Sequence, residues 1–291
     1  MSRGNNTNNE IVISADDIEN YVQKQSDFAF EMEILRLVKK NCSEATTWGG
    51  LYYDPNTGKQ REYDIRTELS LGQYAFACSI KLAIECKNLK PHNPLVISCT
   101  PRDRCEQRLD NWCWPVMSEE HYSVDEKVDY LYCPQIIEPH YKQIVKTSTS
   151  FYPADEPVGR SLDQIGKDTA GVLQGNDSQI FNKWSQALAS LHGMLDSFST
   201  DNVPIEQKNL AFLPIVVVPD YTLWQINYSL DGEIIDKPKQ VNSTSYWVDM
   251  TYDVRHSIDT ESYNISHLHF LTKTGLLDFL TNKKHLAKAF C

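Results

Sequence analysis

Glu85 and Lys87 close the stretch LAIECKN (82–88), with only Cys86 between them. An acid and a lysine one residue apart are common by chance, and the chain also holds DEK at 125–127 and EQK at 206–208. Those two lie in polar stretches, whereas ECK ends an apolar run. Alternate residues of a strand share a face. The spacing therefore predicts Leu82, Ile84 and Cys86 pointing into a core, with Glu85 and Lys87 presented together on the other side. Such a strand would deliver an acid and a base to one place; a plain amphipathic strand has the same pattern.

A second carboxylate stands upstream, in REYDIRTEL. There Tyr63, Ile65 and Leu69 fall on one face, and Glu62, Asp64, Arg66 and Glu68 on the other. If this strand pairs with LAIECK, Asp64 lies beside Glu85. Two carboxylates so close repel unless a cation sits between them. Oxygen ligands of this kind suit Mg²⁺ or Mn²⁺; an exposed, mixed-charge sheet face is the alternative. A third acid comes from the helix before them. Projected at helical spacing, Phe28, Met32, Ile34, Leu35, Val38 and Cys42 form one broad apolar arc, and Glu31 falls near its middle. Glu33 falls opposite, with Arg36 and Lys40. A carboxylate on an apolar face is costly unless paired or coordinated, so Glu31 needs a partner.

A helix bearing Phe30 and Glu31, an aspartate on a hairpin strand (Asp64 in REYDI), and an apolar strand ending in Glu85, Cys86 and Lys87 resemble the PD-(D/E)XK nuclease superfamily. The stretch GLYYDPNTGKQREYDI is similar to a hairpin of that superfamily, although Tyr63 and not proline precedes Asp64. The resemblance implies a restriction-endonuclease-like fold of the α/β (α+β) class, with a mixed central sheet flanked by helices. It places one nuclease-like domain over 14–291, with its core in 28–100 and 177–220, an insertion at 102–160 and a C-terminal extension at 221–291. It also implies metal-dependent hydrolysis of phosphodiesters, preferentially in DNA. Asp64 and Glu85 would hold Mg²⁺ (or Mn²⁺), with the main-chain carbonyl of Cys86 as a further ligand and Glu31 serving a second metal or its water. Lys87 would orient the attacking water and offset charge on the phosphate. Lys183 and Gln186, with Gln179 on the same helical face of DSQIFNKWSQALASLHGMLDSF, are candidates for contact with substrate phosphate; a solvated polar face is the commoner use of such residues.

The elements needed to position these groups can be read from the pattern. Residues 16–42 are helical, with Ser14 and acids at the start and Lys39 and Lys40 at the end. A hairpin follows, turning at DPNTGK, then one or more strands in LGQYAFACSIKLAIECKN and a short one in NPLVISCTP. Residues 102–160 read as irregular. An amphipathic helix at 177–198 precedes strands in LAFLPIVVVP, TLWQINY and YWVDMTY, and SHLHFLT leads into a last helix over GLLDFLTNKKHLAKAF. His267 and His269 share a strand face, and simple alternation predicts a half-exposed strand. Trp112, Trp114 and Trp184 are of a type that stacks on bases, but buried aromatics are far more common.

The composition sets bounds. The polar start MSRGNNTNNE has no signal-peptide pattern and is expected to be disordered over 1–13, and the longest apolar run, broken by Pro214, is too short to span a bilayer. A cytoplasmic location without membrane association is expected. Eight cysteines without a CxxC pair argue for free buried thiols and against a zinc ribbon. The net charge of −11 is uneven: 14 basic against 16 acidic residues over 1–110, and 14 against 23 over 111–291. That balance weakens nucleic-acid binding without excluding it, and leaves room for a homodimer or a partner subunit. Two functions stay open: an active nuclease, and a catalytically inactive nuclease-like fold serving as a nucleic-acid-binding or protein-interaction module.

Overall fold

The computed structural model describes residues 12–24, 26–42, 46–54, 57–71, 77–109, 112–116, 120–121, 135–136, 140–143, 146–147, 149–175, 178–200, 208–255 and 260–290. The expected polar N-terminus lies almost wholly outside the described residues, as does much of 102–160.

The helical pattern at the start resolves into α1 (Ala15–Lys24) and α2 (Asp27–Asn41). Ser26 separates them: its backbone is extended, at φ −69° and ψ 134°, and its hydroxyl accepts the N–H of Phe28, which caps α2. Phe30, Ile34, Leu35 and Val38 make the buried stripe of α2. Phe28, expected on that stripe, is 61% exposed; it has the right angle but sits in the first turn, ahead of the point where burial begins. Glu33 is exposed as expected and pairs with Lys273.

β1 (Thr47–Asp54) and β2 (Lys59–Ser70) form the expected hairpin, and β3 is Ala77–Cys86. Gly58 turns the hairpin at φ 64°, a conformation that suits glycine. β4 is Leu95–Pro101, β5 Pro157–Lys167, α3 Ser178–Thr200, β6 Lys208–Val218, β7 Leu223–Asn227, β8 Ser243–Arg255 and β9 Thr260–Thr272. Where a single last helix was expected, Asn282 divides α4 (Lys273–Thr281) from α5 (Lys283–Phe290).

These strands form one mixed sheet in the order β1-β2-β3-β6-β9-β8-β5-β4-β7. β1, β2 and β3 run antiparallel in sequence, and β6 is parallel to both β3 and β9. β9 and β8 are antiparallel. β8 meets β5 in a parallel contact at Tyr246 and Gly159, and β5 is antiparallel to β4, which is parallel to β7. Two readings of the sequence are thereby refined. β5 begins within the stretch read as an irregular insertion; PVGRSLDQIGK has no apolar alternation, and its place is set by main-chain pairing with β4. The C-terminal strands β8 and β9 lie in the middle of the sheet, between β6 and β5.

Helices cover both faces. On one, α2, α4 and α5 bring Ile34, Val38, Leu280 and Phe290 against Ile65, Leu82, Ile84, Cys86 and Ile215. On the other, α3 packs Ile180, Ala187, Leu188 and Leu191 against Ala83, Phe212, Val216 and Phe270. The alternation expected in β3 is therefore observed: Leu82, Ile84 and Cys86 face α2, and their neighbours face α3. Being covered on both sides, the central strands are buried almost throughout. This corrects the reading of His267 and His269 as half-exposed: they are 0% and 8% exposed, beneath Phe151 and Tyr152. Trp184 packs into the apolar layer under α3, while the side chains of Trp112 and Trp114 lie outside the described residues. Cys42, Cys78, Cys86 and Cys99 are buried thiols as expected, whereas Cys105 is exposed. Among the described residues no helix is long and apolar enough to cross a membrane.

Candidate active site

The pairing of β2 with β3 sets the site. Ile65 lies opposite Ile84, which brings the next residues outward along each strand, Asp64 and Glu85, together on the α3 side of the sheet. The main-chain N–H of Asp64 lies 3.4 Å from Glu85 Oε1, and Asp64 Oδ2 accepts the N–H of Cys86 at 2.7 Å. Glu85 is wholly buried, and Asp64 is partly so. Burial, and after it the negative charge of Asp64, hold the Glu85 carboxyl well above the usual carboxylate range.

Lys183 reaches this pair from α3. Its ammonium lies 2.9 Å from Asp64 Oδ2 and 3.3 Å from Glu85 Oε2. Burial alone would lower the pKa of Lys183; the charges of Glu85 and Asp64 outweigh it and hold the ammonium above the ordinary lysine range. The helix is seated by Arg66 of β2, whose guanidinium donates to Ser190 Oγ at 3.1 Å and to the Ser190 carbonyl at 2.8 Å. Ser190 is seven residues after Lys183, two helical turns along the same face. The strand that carries Asp64 thus also fixes the height of Lys183.

Glu31 comes from the first turns of α2 and is half-buried. Desolvation, followed by repulsion from Asp64, raises its carboxyl to about 7, against a smaller opposing effect of Lys183. The structure therefore brings Glu31, Asp64 and Glu85 into one electrostatic neighbourhood, as the misplaced acid on α2 led one to expect.

Lys87 is placed differently from the orientation read off strand alternation. β3 ends at Cys86, and the Lys87 ammonium lies 2.9 Å from Asp27 Oδ2, at the start of α2. Asp27 Oδ1 also accepts the N–H of Asn88 at 3.0 Å, and the Asn88 amide donates to the Ser26 carbonyl at 3.0 Å. The end of β3 is thereby clasped to the N-terminus of α2, a favourable place for the Asp27 charge. Gln186 lies one turn after Lys183 and is partly buried; its carbonyl is 3.5 Å from the Tyr52 hydroxyl. Gln179's side chain lies outside the described residues.

Sequence reasoning missed Asp27 and Arg66 as parts of this arrangement. The signal for Asp27 was its place directly after the capping serine. Arg66 shared the strand face with Asp64, but only the docking of α3 shows what it touches.

Among the described residues no three or more His, Cys, Asp and Glu side chains are arranged to hold a metal ion. The donor set fits a small hard cation all the same, because Mg²⁺ commonly takes one or two carboxylates and completes its shell with water and substrate oxygens. Among the described residues, Lys183 acts on Glu31 and Glu85, and Arg66 also acts on Glu85. Burial first, and then repulsion from Asp64, raises the carboxyls of Glu31 and Glu85. Comparison with known proteins adds no family: no family model, curated protein or solved structure matches the chain.

Proposed function

We propose that this protein is a Mg²⁺- or Mn²⁺-dependent nuclease that hydrolyses phosphodiester bonds, preferentially in DNA, through Asp64, Glu85 and lysine side chains beside them. The observation that carries the reading is the convergence of Asp64 from the middle of β2, Glu85 from the end of β3 and Lys183 from α3. The order α2, β1-β2-β3, then α3 and β6 after the intervening β4 and β5, with β6 parallel to β3, supports a restriction-endonuclease-like core.

Asp64 and Glu85 would hold the metal, with the Cys86 carbonyl as a further ligand and Glu31 at a second position. When bound, the metal supplies Lewis-acid polarisation of the phosphate and acidifies water. The chain's own groups supply orientation. The Cys86 N–H fixes one oxygen of Asp64, and burial keeps Glu85 in a low-dielectric setting where its charge acts strongly. Lys87, held at the rim by Asp27, and Lys183 from α3 provide positive charge for the phosphate as it gains charge.

The alternative is a catalytically inactive nuclease-like fold that binds nucleic acid or another protein. The ion pair of Lys183 with both carboxylates favours it, since a permanent internal cation would make the cluster structural. The acidic C-terminal portion, with 23 acidic against 14 basic residues over 111–291, favours it too, or a partner subunit that supplies affinity for nucleic acid. Calorimetric titration with Mn²⁺ separates the two. The nuclease reading expects saturable binding that is lost in Asp64→Asn; an absence of binding by the wild type would leave the binding module as the better account.

A further inference from the structure

We infer that Lys183 is a resident counter-ion of the carboxylate pair, one that a divalent metal must displace from Asp64 and Glu85 before the site can work. The inference rests on the nuclease reading and adds to it a competition built into α3.

Lys183 lies 2.9 Å from Asp64 Oδ2 and 3.3 Å from Glu85 Oε2, on the two carboxylates that would hold the metal. Asp64 Oδ2 also accepts the Cys86 N–H, and Glu85 Oε1 lies by the Asp64 N–H, so the carboxylates are held in place from the backbone side. Metal loading can therefore proceed without moving them; the group that must move is the ammonium. Lys183 is equipped to move. Its stem has four rotatable carbon bonds, and its side chain is 17% exposed. Its helix stays anchored meanwhile, because Arg66 holds Ser190.

Lys87 does not occupy this position. It is bonded to Asp27, and the following residue is tied to the same aspartate and to Ser26. The two lysines thus divide the work: Lys87 belongs to the clasp between β3 and α2, and Lys183 neutralises the acid pair until metal arrives. Once displaced, Lys183 would remain within one side-chain length of the carboxylates, with its positive charge available to a substrate phosphate.

The test is Mn²⁺ affinity, read by calorimetry on the full chain. Lys183→Met removes the competing charge. Lys183→Gln keeps a polar group of similar reach and serves if the apolar substitution does not fold, while Lys183→Arg keeps the charge. The inference expects Lys183→Met and Lys183→Gln to bind Mn²⁺ about tenfold or more tightly than wild type, and Lys183→Arg to gain nothing. Unchanged or weaker binding in both neutral variants, with wild-type binding intact, would overturn the inference and leave the nuclease reading standing. No binding by wild type or any variant would overturn both.

Discussion

The main-chain N–H of Asp64 points at Glu85 Oε1 across 3.4 Å, and the two acids stand on adjacent antiparallel strands in the interior. A wholly buried carboxyl beside a second one costs stability when it ionises. Glu85→Gln is therefore expected to match or exceed wild-type stability in metal-free buffer at pH 8, within about 1 kcal/mol, because the amide carries no charge to desolvate. The same variant is expected to lose Mn²⁺ binding. Urea unfolding in EDTA, together with calorimetry, checks both halves; a substantially destabilised Glu85→Gln would show that the ionised pair with Lys183 holds the fold.

Glu31 gives a pH dependence of defined sign. Its folded carboxyl titrates at about 7, above the ordinary glutamate value of 4.5. Between those values the folded state binds more protons than the unfolded one. The metal-free protein thus loses stability as the pH rises from 4.5 through 7 on account of this group. Glu31→Gln should stabilise the protein at pH 8 by about 1–2 kcal/mol, the full linkage value being reduced because the carboxyl is partly exposed, and should have little effect near pH 4.5. Denaturant midpoints at the two pH values measure the difference.

Asp27 joins α2 to the end of β3 through Lys87 and the N–H of Asn88. Asp27→Ala is expected to cost about 1–2 kcal/mol, since it removes a partly exposed ion pair and a main-chain hydrogen bond together. Hydrogen exchange would place the loss: the Asn88 amide should exchange faster, while amides in the middle of β3 should keep their protection.

His269 acts in the opposite sense to Glu31. Burial, followed by the charge of Arg102, lowers it to about 3, and its Nε2 lies 2.9 Å from the Tyr152 hydroxyl. The unfolded chain binds a proton between pH 6.5 and 3 that the folded chain refuses, so stability falls as the pH drops through that window. His269→Gln, which does not titrate, should flatten this acid limb while lowering stability at pH 8 through poorer packing. Thermal unfolding from pH 8 to pH 4 would register the change of slope.

The pairing of Asp64 with Glu85 was legible in the sequence because a strand repeats every second residue, and a hairpin fixes which residues meet. Glu31 was legible because an acid on an apolar helix face is an anomaly with a physical cost. Lys183 could be placed on the right face of its helix, but its contact with both acids depends on how α3 lies across the sheet, which no local period reveals. Lys87 followed the alternation only as far as Cys86, where the strand ends; beyond it, the side chain answers to Asp27. β5 escaped because its PVGRSLDQIGK sequence lacks apolar alternation and its pairing is carried by main-chain groups. The central position of β8 and β9 depends on long-range strand order. His267 and His269 alternate like a half-exposed strand, and only the cover of Phe151 and Tyr152 makes them interior.

The most direct measurement is cleavage of a labelled DNA duplex and of the matching single-stranded DNA and RNA, with Mg²⁺ or Mn²⁺ present and again with EDTA, by wild type and Asp64→Asn. The account predicts metal-dependent scission of at least one DNA substrate by wild type, abolished by EDTA and reduced about 10²-fold or more in Asp64→Asn. Scission that persists undiminished in Asp64→Asn, or no scission by a wild type that binds metal, would contradict it.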